Sequence, residues 1–275
     1  QTLYVRLEID ETGCYATTTQ ELIVNPIPTV LVGPAYEVCD DDYDGIGSYD
    51  LSTLDETLLD GQTGVSISYY ESQEDADNAT NVLDVNYQNT IADNQTLYVR
   101  LEIDETGCYA TTTQELIVHP LPEIIIPTPL EECDDDYNGI VSFFDLSQKT
   151  EEILNGQTGI SVSYYETLEN AESGENPIEG LYTNIEIDTQ TLYVRLEIDE
   201  TGCYATTTQE LIVNPIPTVL VGPAYEVCDD DYDGIGSYDL STLDETLLDG
   251  QTGVSISYYE SQEDADNATN VLDVN

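Results

Sequence analysis

The sequence predicts an all-β protein built as a row of sandwich domains, and three observations carry that prediction. Residues 1–86 and 190–275 are the same 86 letters, with a diverged copy between them. The copies step by 94 and then 95 residues, from Gln1 to Gln95 to Gln190. That period suits one independently folding domain and exceeds the roughly 20–50 residues of a helical solenoid repeat. Within each copy, apolar and polar residues alternate in short runs bounded by Gly, Pro, Asp and Asn, as half-buried strands do. Six or seven such runs per copy indicate tandem immunoglobulin-like β-sandwich domains with short helical connections, arranged as an extended rod.

Alternating-proline joints mark where one domain gives way to the next. Asn25-Pro26-Ile27-Pro28, His119-Pro120-Leu121-Pro122 and Asn214-Pro215-Ile216-Pro217 are short and biased to extended backbone. The expected division is 1–27, the C-terminal part of a repeat; 28–121, a repeat; 122–216, a variant repeat; and 217–275, the N-terminal part of another. Both ends fall inside a repeat, so the chain reads as a cut from a longer array.

Within 28–121, Thr29–Val32 and Tyr36–Cys39 read as a first strand broken by Gly33-Pro34, which suits a sheet edge. Ile46–Leu51 reads as a second strand. Ser52–Gly61 has the form of a short helix, with Ser52 as N-cap, Leu51, Leu54 and Leu58 on one face and Gly61 as terminator, placed to plug an open end of the sandwich. Val65–Tyr70 alternates as a third strand, and Ser72–Ala79 is a second capped helical turn. The clearest pair comes last: Leu97, Val99, Leu101 and Ile103 face inward along one strand, Arg100 faces outward, and Tyr109–Val118 returns after the turn Asp104-Glu105-Thr106-Gly107. The middle copy replaces Ser48-Tyr49-Asp50 by Ser142-Phe143-Phe144-Asp145, one residue longer, which predicts a β-bulge.

Composition narrows the partners. The chain has 57 acidic residues against four Lys and Arg, a formal charge of −53. Nucleic acid and anionic lipid are excluded, since each needs a basic stripe to displace counterions. Arg6, Arg100 and Arg195, each with a glutamate two residues on, are expected to neutralise carboxylates on an exposed face. No apolar run is long enough to insert in a membrane.

One motif carries chemistry. Asp40-x-Asp42-x-Asp44-Gly45 recurs as Asp134-x-Asp136-x-Asn138-Gly139 and Asp229-x-Asp231-x-Asp233-Gly234. It has the first half of a calcium loop: side-chain oxygens at positions 1, 3 and 5, a glycine at 6 for the sharp turn, and a backbone carbonyl from Ile46, Ile140 or Ile235 at 7. The bidentate glutamate of position 12 is missing, with Leu51 or Leu240 there instead. Three or four carboxylates in one turn repel strongly without a cation, so Ca2+ is the expected cofactor. In an immunoglobulin-type topology this loop lies at the opposite pole from the last hairpin's turn. It would then face the hairpin turn of the next domain, making Asp104, Glu105, Asp199 and Glu200 candidate completing ligands.

Six cysteines recur at the same two landmarks, Cys39, Cys133 and Cys228 before the acidic loop and Cys14, Cys108 and Cys203 after the hairpin turn. This suits disulfides in an oxidising, extracellular setting. Three pairings are open. Bridges within a domain, Cys39–Cys108 and Cys133–Cys203, are the default for two cysteines per repeat and would close loops of about 70 residues for 2–4 kcal/mol. Opposite-pole turns, however, would stand beyond the ~7 Å reach of a disulfide, and the staggered alternative joins Cys39 of one domain to Cys203 of the next. Pairing of the Cys14–Cys39 kind across a joint is the third.

Other features carry little. His119 is replaced by Asn25 and Asn214 in the other copies, so no repeated catalytic site depends on it, and no enzyme is expected. Lys149 is the sole lysine, which rules out repeated Lys–Asn crosslinks.

The motif string C-D-D-D-x-[DN]-G, D-L-S, G-Q-T-G-[VI], S-Y-Y-E, Q-T-L-Y-V-R-L-E and T-G-C-Y-A-T-T-T-x-E-L-I-V-N-P resembles repeats of very large surface proteins of flavobacteria and relatives. Those are exported by type IX secretion and include adhesins tied to gliding motility. The resemblance implies an extracellular or cell-surface stalk or filament segment of an adhesin, partnered by its own neighbouring repeats, with lateral self-association or surface glycans as further partners. The alternative is a repeated module that binds glycans or surfaces directly through avidity.

Overall fold

The computed structural model describes residues 1–229 and 232–274. They divide into two compact units, residues 1–126 with 150–177 and 193–207, and residues 127–149 with 178–192 and 208–275. The first unit opens on a hairpin of β1 (Thr2–Glu8) and β2 (Tyr15–Glu21) and then holds all of repeat 28–121.

That repeat has six strands: β3 (Tyr36–Cys39), β4 (Ser48–Asp50), β5 (Val65–Tyr70), β6 (Asn86–Gln88), β7 (Asn94–Ile103) and β8 (Tyr109–His119). They form a four-stranded sheet in the order β3-β8-β7-β5 and a two-stranded sheet β4-β6. Tyr49 of β4 and Tyr87 of β6 share one core with Tyr69, Leu97, Val99, Leu101, Leu116 and Val118 of the larger sheet. The two sheets therefore face each other as an immunoglobulin-like sandwich, closed by the β7–β8 hairpin. β3 is an edge strand running parallel to β8, with Tyr36 opposite Leu116 and Cys39 opposite His119. This parallel edge decides where the cysteines go.

Three local expectations change. The first strand is only Tyr36–Cys39; Thr29–Val32 forms none, its backbone being occupied by Gln62, whose amide bonds the Thr29 N–H and C=O at 2.9 Å each. The second strand shrinks to Ser48–Asp50. The helix after it begins as a 3-10 turn, Leu51–Leu54, capped by Asp50 rather than Ser52, and continues as α1 (Asp55–Leu59) to a left-handed Asp60 rather than stopping at Gly61. Its purpose is as expected, since Leu51 and Leu58 are fully buried in the core.

The second helix, α2 (Gln73–Asn78), has Ser72 as N-cap, and Ser72, Thr80 and Asn81 all bond Asp75, which holds its carboxyl below the ordinary aspartate value. α2 corrects the reading of the arginines. Arg100 points away from the sandwich core but lies under α2, only 8% exposed, where its guanidinium donates to Ala76 O and Asp77 O, pairs with Glu102 at 2.6 Å and stacks 3.4 Å over Tyr109. It caps the carbonyl end of a helix as well as neutralising a carboxylate. Arg195 repeats the arrangement on Ala171, Glu172, Glu197 and Tyr204, beside α4 (Leu168–Ser173).

The second repeat uses the same parts. Its strands β9 (Leu130–Cys133), β10 (Ile160–Tyr165), β11 (Thr189–Ile198) and β12 (Tyr204–Asn214) are ordered β10-β11-β12-β9, and α3 (Thr150–Leu154) stands where α1 does. In the second unit β9 runs parallel to β12, with Cys133 opposite Asn214. The smaller sheet is reduced to one bridge, Phe144↔Tyr182, instead of a bulged strand. Phe144 is fully buried and Phe143 is 66% exposed, so the extra residue is turned out to solvent and pairing is lost around it. The second unit ends with α5 (Asp244–Leu248) and α6 (Gln262–Asn267) of the third copy.

Candidate functional site

The acidic loop starts where β3 stops, and β3 stops beside the end of β8. Asp40 N–H continues the ladder by donating to His119 O at 2.8 Å. The loop therefore occupies the pole from which the chain leaves the domain. Cys108, at the start of β8, is a strand length away: eleven residues of β8 at about 3.3 Å each separate it from the Cys39 end by roughly 35 Å.

Inside the loop Asp40 is the organiser. Buried to 7% exposure, it accepts the N–H groups of Asp42 and Tyr43 on one oxygen, at 3.1 and 2.9 Å, and that of Gly45 on the other, at 2.9 Å. Desolvation pushes its carboxyl up, but these backbone donors outweigh that and hold it below the ordinary aspartate value. Asp44 accepts from Ile46 N at 2.6 Å. Asp42 is the strained member: desolvation, then the charge of Asp44 and that of Asp41, raise its pKa. Tyr43 takes a left-handed φ of 68°, and Gly45 one of 76° where a side chain would strike Asp93 and Ala92.

Carboxylate oxygens of Asp40, Asp42 and Asp44 lie within 4.8 Å of one another, as do those of Asp134, Asp135 and Asp136. The second loop follows the first, with Asp134 accepting from Asp136 N and Gly139 N and Asn138 from Ile140 N. In the third, Asp229 accepts from Tyr232 N and Gly234 N, and Asp233 from Ile235 N; Asp231 lies outside the described residues. Oxygen-only donors of this kind fit a hard cation such as calcium, and a carboxylate oxygen with one N–H bond, such as Asp40 Oδ2 or Asp44 Oδ1, keeps a lone pair beyond it. Among the described residues, neither carboxylate cluster includes Asp104, Glu105, Asp199 or Glu200. Asp104 is held by Ser66 and Asp199 by Ser161, each within its own hairpin's sheet, at 2.5 and 2.6 Å.

The cysteines settle into the staggered pattern. Cys39 is bonded to Cys203, 164 residues on, with Cα atoms 5.5 Å apart. The bridge ties the acidic loop of one repeat to the hairpin turn of the next. The within-domain pairs Cys39–Cys108 and Cys133–Cys203 are thereby overturned, for the strand-length reason above, and so is Cys14–Cys39, since Cys14 is free. Cys108, Cys133 and Cys228 are also free. A stagger of 164 residues accounts for all four: among the six positions only 39 and 203 are that far apart.

Around the bridge, sequence reasoning missed the residues that hold the joint. Tyr43 Oη donates to Pro122 O at 3.1 Å, and the next residue, Glu123, is gripped by Gln157, which accepts its N–H at 2.8 Å and donates to its C=O at 3.0 Å. One peptide unit after the proline is thus fixed from the preceding repeat and from the following one. Tyr137 bonds Pro217 O in the same way, and Gln251 clasps Thr218. Buried Asn89 supports the loop from below, accepting from Gly47 N and donating to Gly45 O and Ile91 O; Asn184 does the same in the second repeat. The signal was present, because the tyrosine of C-D-D-D-Y and the glutamine of G-Q-T-G occur in every copy.

No curated protein sequence matches the chain. Solved structures with which it shares a distant likeness include a three-immunoglobulin structure of titin I67–I69 in an E-to-A variant, 11% identical over 78% of this chain and 82% of that one, with a TM-score of 0.29. Drosophila OTK extracellular domains 3–5 are 10% identical over 78% and 70%, TM-score 0.26. Sidekick-1 immunoglobulin domains 1–4 are 10% identical over 81% and 68%, TM-score 0.22. Likeness at that level adds nothing to the strand order described above. The sequence match is of another kind: residues 35–122, 129–217 and 224–275 each match one domain, and the chain belongs to the Flavobacterium inter-domain disulphide bond domain family.

Proposed function

We propose that this chain is a segment of a stalk or filament on the bacterial cell surface, part of an adhesin exported by type IX secretion and used in surface contact or gliding. The observation that carries the reading is the Cys39–Cys203 bridge, which joins consecutive repeats and serves the array rather than any single fold. A disulfide belongs in an oxidising compartment, which supports an extracellular setting. Among the described residues no helix is long and apolar enough to cross a membrane. The working units are 28–121 and 122–216, strung as a rod, and the role assigned is structural, without catalysis.

Calcium is the second half of the proposal. The ligands would be Asp40, Asp42, Asp44 and the Ile46 carbonyl, and Asp134, Asp136, Asn138 and the Ile140 carbonyl, with Asp229, Asp231, Asp233 and the Ile235 carbonyl in the third copy. When bound, the ion supplies the positive charge that relieves Asp42 of its crowding by Asp44 and Asp41. The protein's own contribution is to pin the loop by Asp40 and Asn89 and to place it beside the joint. Small-angle scattering of the 275-residue chain, with millimolar calcium and with chelator, tests this. A longer, narrower particle with calcium is expected, and Asp42→Asn with Asp136→Asn removes the difference. Identical profiles, together with no heat of calcium binding, sink the calcium part.

A further inference from the structure

We propose that the inter-repeat bridge is a covalent bypass for tension. Force applied along the array runs through Cys39–Cys203, and residues 40–202 cannot be drawn out while the bridge is closed. The inference rests on the stalk reading and specifies how such a stalk would carry load.

In an ordinary tandem array each domain is in mechanical series, and unfolding one of about 94 residues releases roughly 300 Å of chain. Here tension entering from the N-terminal side reaches Cys39, the last residue of β3, and has a shorter route than the backbone. It crosses 5.5 Å to Cys203 and leaves along β12. The bypassed segment contains the acidic loop, β4 to β8 with most of the first core, the joint, and the second repeat through β11. Extended, that segment would measure about 570 Å at roughly 3.5 Å per residue.

The spacing of the cysteines supports the same conclusion independently. From each hairpin cysteine to the next loop cysteine, Cys14 to Cys39, Cys108 to Cys133 and Cys203 to Cys228, the separation is 25 residues every time. From loop to hairpin within a repeat it is 69 and then 70, so the extra residue of the middle copy falls in the bypassed part. The 25-residue span is strand, proline joint and edge segment with no helix in any copy. Such a span has no helical turns to unwind under load. Wherever the same two cysteines recur in neighbouring repeats, the stagger gives two interleaved covalent rails. Cys14, Cys39, Cys203 and Cys228 lie on one, and Cys108 and Cys133 on the other.

The test is single-molecule stretching of the full 275-residue chain from terminal handles, with Cys14→Ser, Cys108→Ser, Cys133→Ser and Cys228→Ser so that no other bridge forms. The oxidised chain should reach a final contour length about 570 Å shorter than the reduced one, with no unfolding step from residues 40–202. Dithiothreitol reduces the bridge to two thiols, giving up two electrons and two protons and closing to its own cyclic disulfide. Two repeat-sized steps should then appear. Cys39→Ser should behave as reduced without any reductant. Full-length release from an oxidised chain, with Cys39 and Cys203 shown by alkylation to be blocked, would overturn the bypass, and so would finding both thiols free. The first result leaves the stalk reading standing, because that reading fails on a different observation, the absence of the repeat from the surface of intact cells; free thiols would also remove the observation on which it rests.

Discussion

Arg100 shows how a single residue can look like surface and act as interior. Its position on the outward face of β7 is plain from the alternation of Leu97, Val99 and Leu101, but the helix that covers it comes from residues 73–78. Its guanidinium replaces water on two helix-terminal carbonyls and is compensated by Glu102 and by the Tyr109 ring. Removing a buried charge donor from such a site leaves carbonyls unpaired. Arg100→Ala should therefore lower the stability of the repeat by about 2–3 kcal/mol in urea unfolding. Arg6, half-exposed on β1, is the built-in control, and Arg6→Ala should change little. Equal effects from the two substitutions would contradict the capping role. Sequence alone places Arg100 on the right face; only the packing of α2 reveals that the face is covered.

Among the elements, the parallel pairing of β3 with β8 organises the molecule. A strand hydrogen-bonded on one side only and preceded by Gly33-Pro34 is legible as an edge. Its direction is not, because the letters of Tyr36–Cys39 are the same for a parallel or an antiparallel partner. Direction puts the acidic loop and Cys39 at the exit pole, and from it follow both the stagger and the clamp on the joint. The strands of the hairpin, their inward residues and the two short helices follow from alternation and caps. The strand around Phe144 does not, since one added residue erased the pairing it was expected to bulge. The joint itself gives a prediction at this scale. Gln157→Ala removes both bonds to Glu123, each worth about 1 kcal/mol, and the Glu123 amide should exchange with solvent several-fold faster in hydrogen exchange while β7 and β8 amides keep their protection. Unchanged exchange at Glu123 would show that the proline joint is stiff without the clamp.

For the whole molecule, the repetition and the cysteines are two expressions of one design. Repeat 28–121 is a sandwich with its own core. What passes between neighbours is covalent and local: a disulfide, a tyrosine and a glutamine meeting at a proline joint. Closing a loop of 164 residues also removes entropy from the unfolded chain, about 5 kcal/mol in the chain-entropy account, so oxidation should couple the stabilities of two adjacent repeats. The number and the class of domains were readable from the period, and the cysteine landmarks from their recurrence. The pairing could not be read, since three connectivities fit the same spacing; strand direction excludes the within-domain pairs, and the Cys39–Cys203 bridge leaves Cys14 free. Connectivity is therefore the point on which everything else depends, and four basic residues make it measurable. Trypsin cuts after Arg6, Arg100, Lys149 and Arg195, which puts Cys14 and Cys39 in fragment 7–100, Cys108 and Cys133 in 101–149, and Cys203 and Cys228 in 196–275. In the Cys14→Ser, Cys228→Ser chain, non-reducing mass spectrometry of the digest should find fragment 7–100 joined to 196–275, through Cys39 and Cys203; fragment 7–100 joined instead to 101–149 would contradict the account.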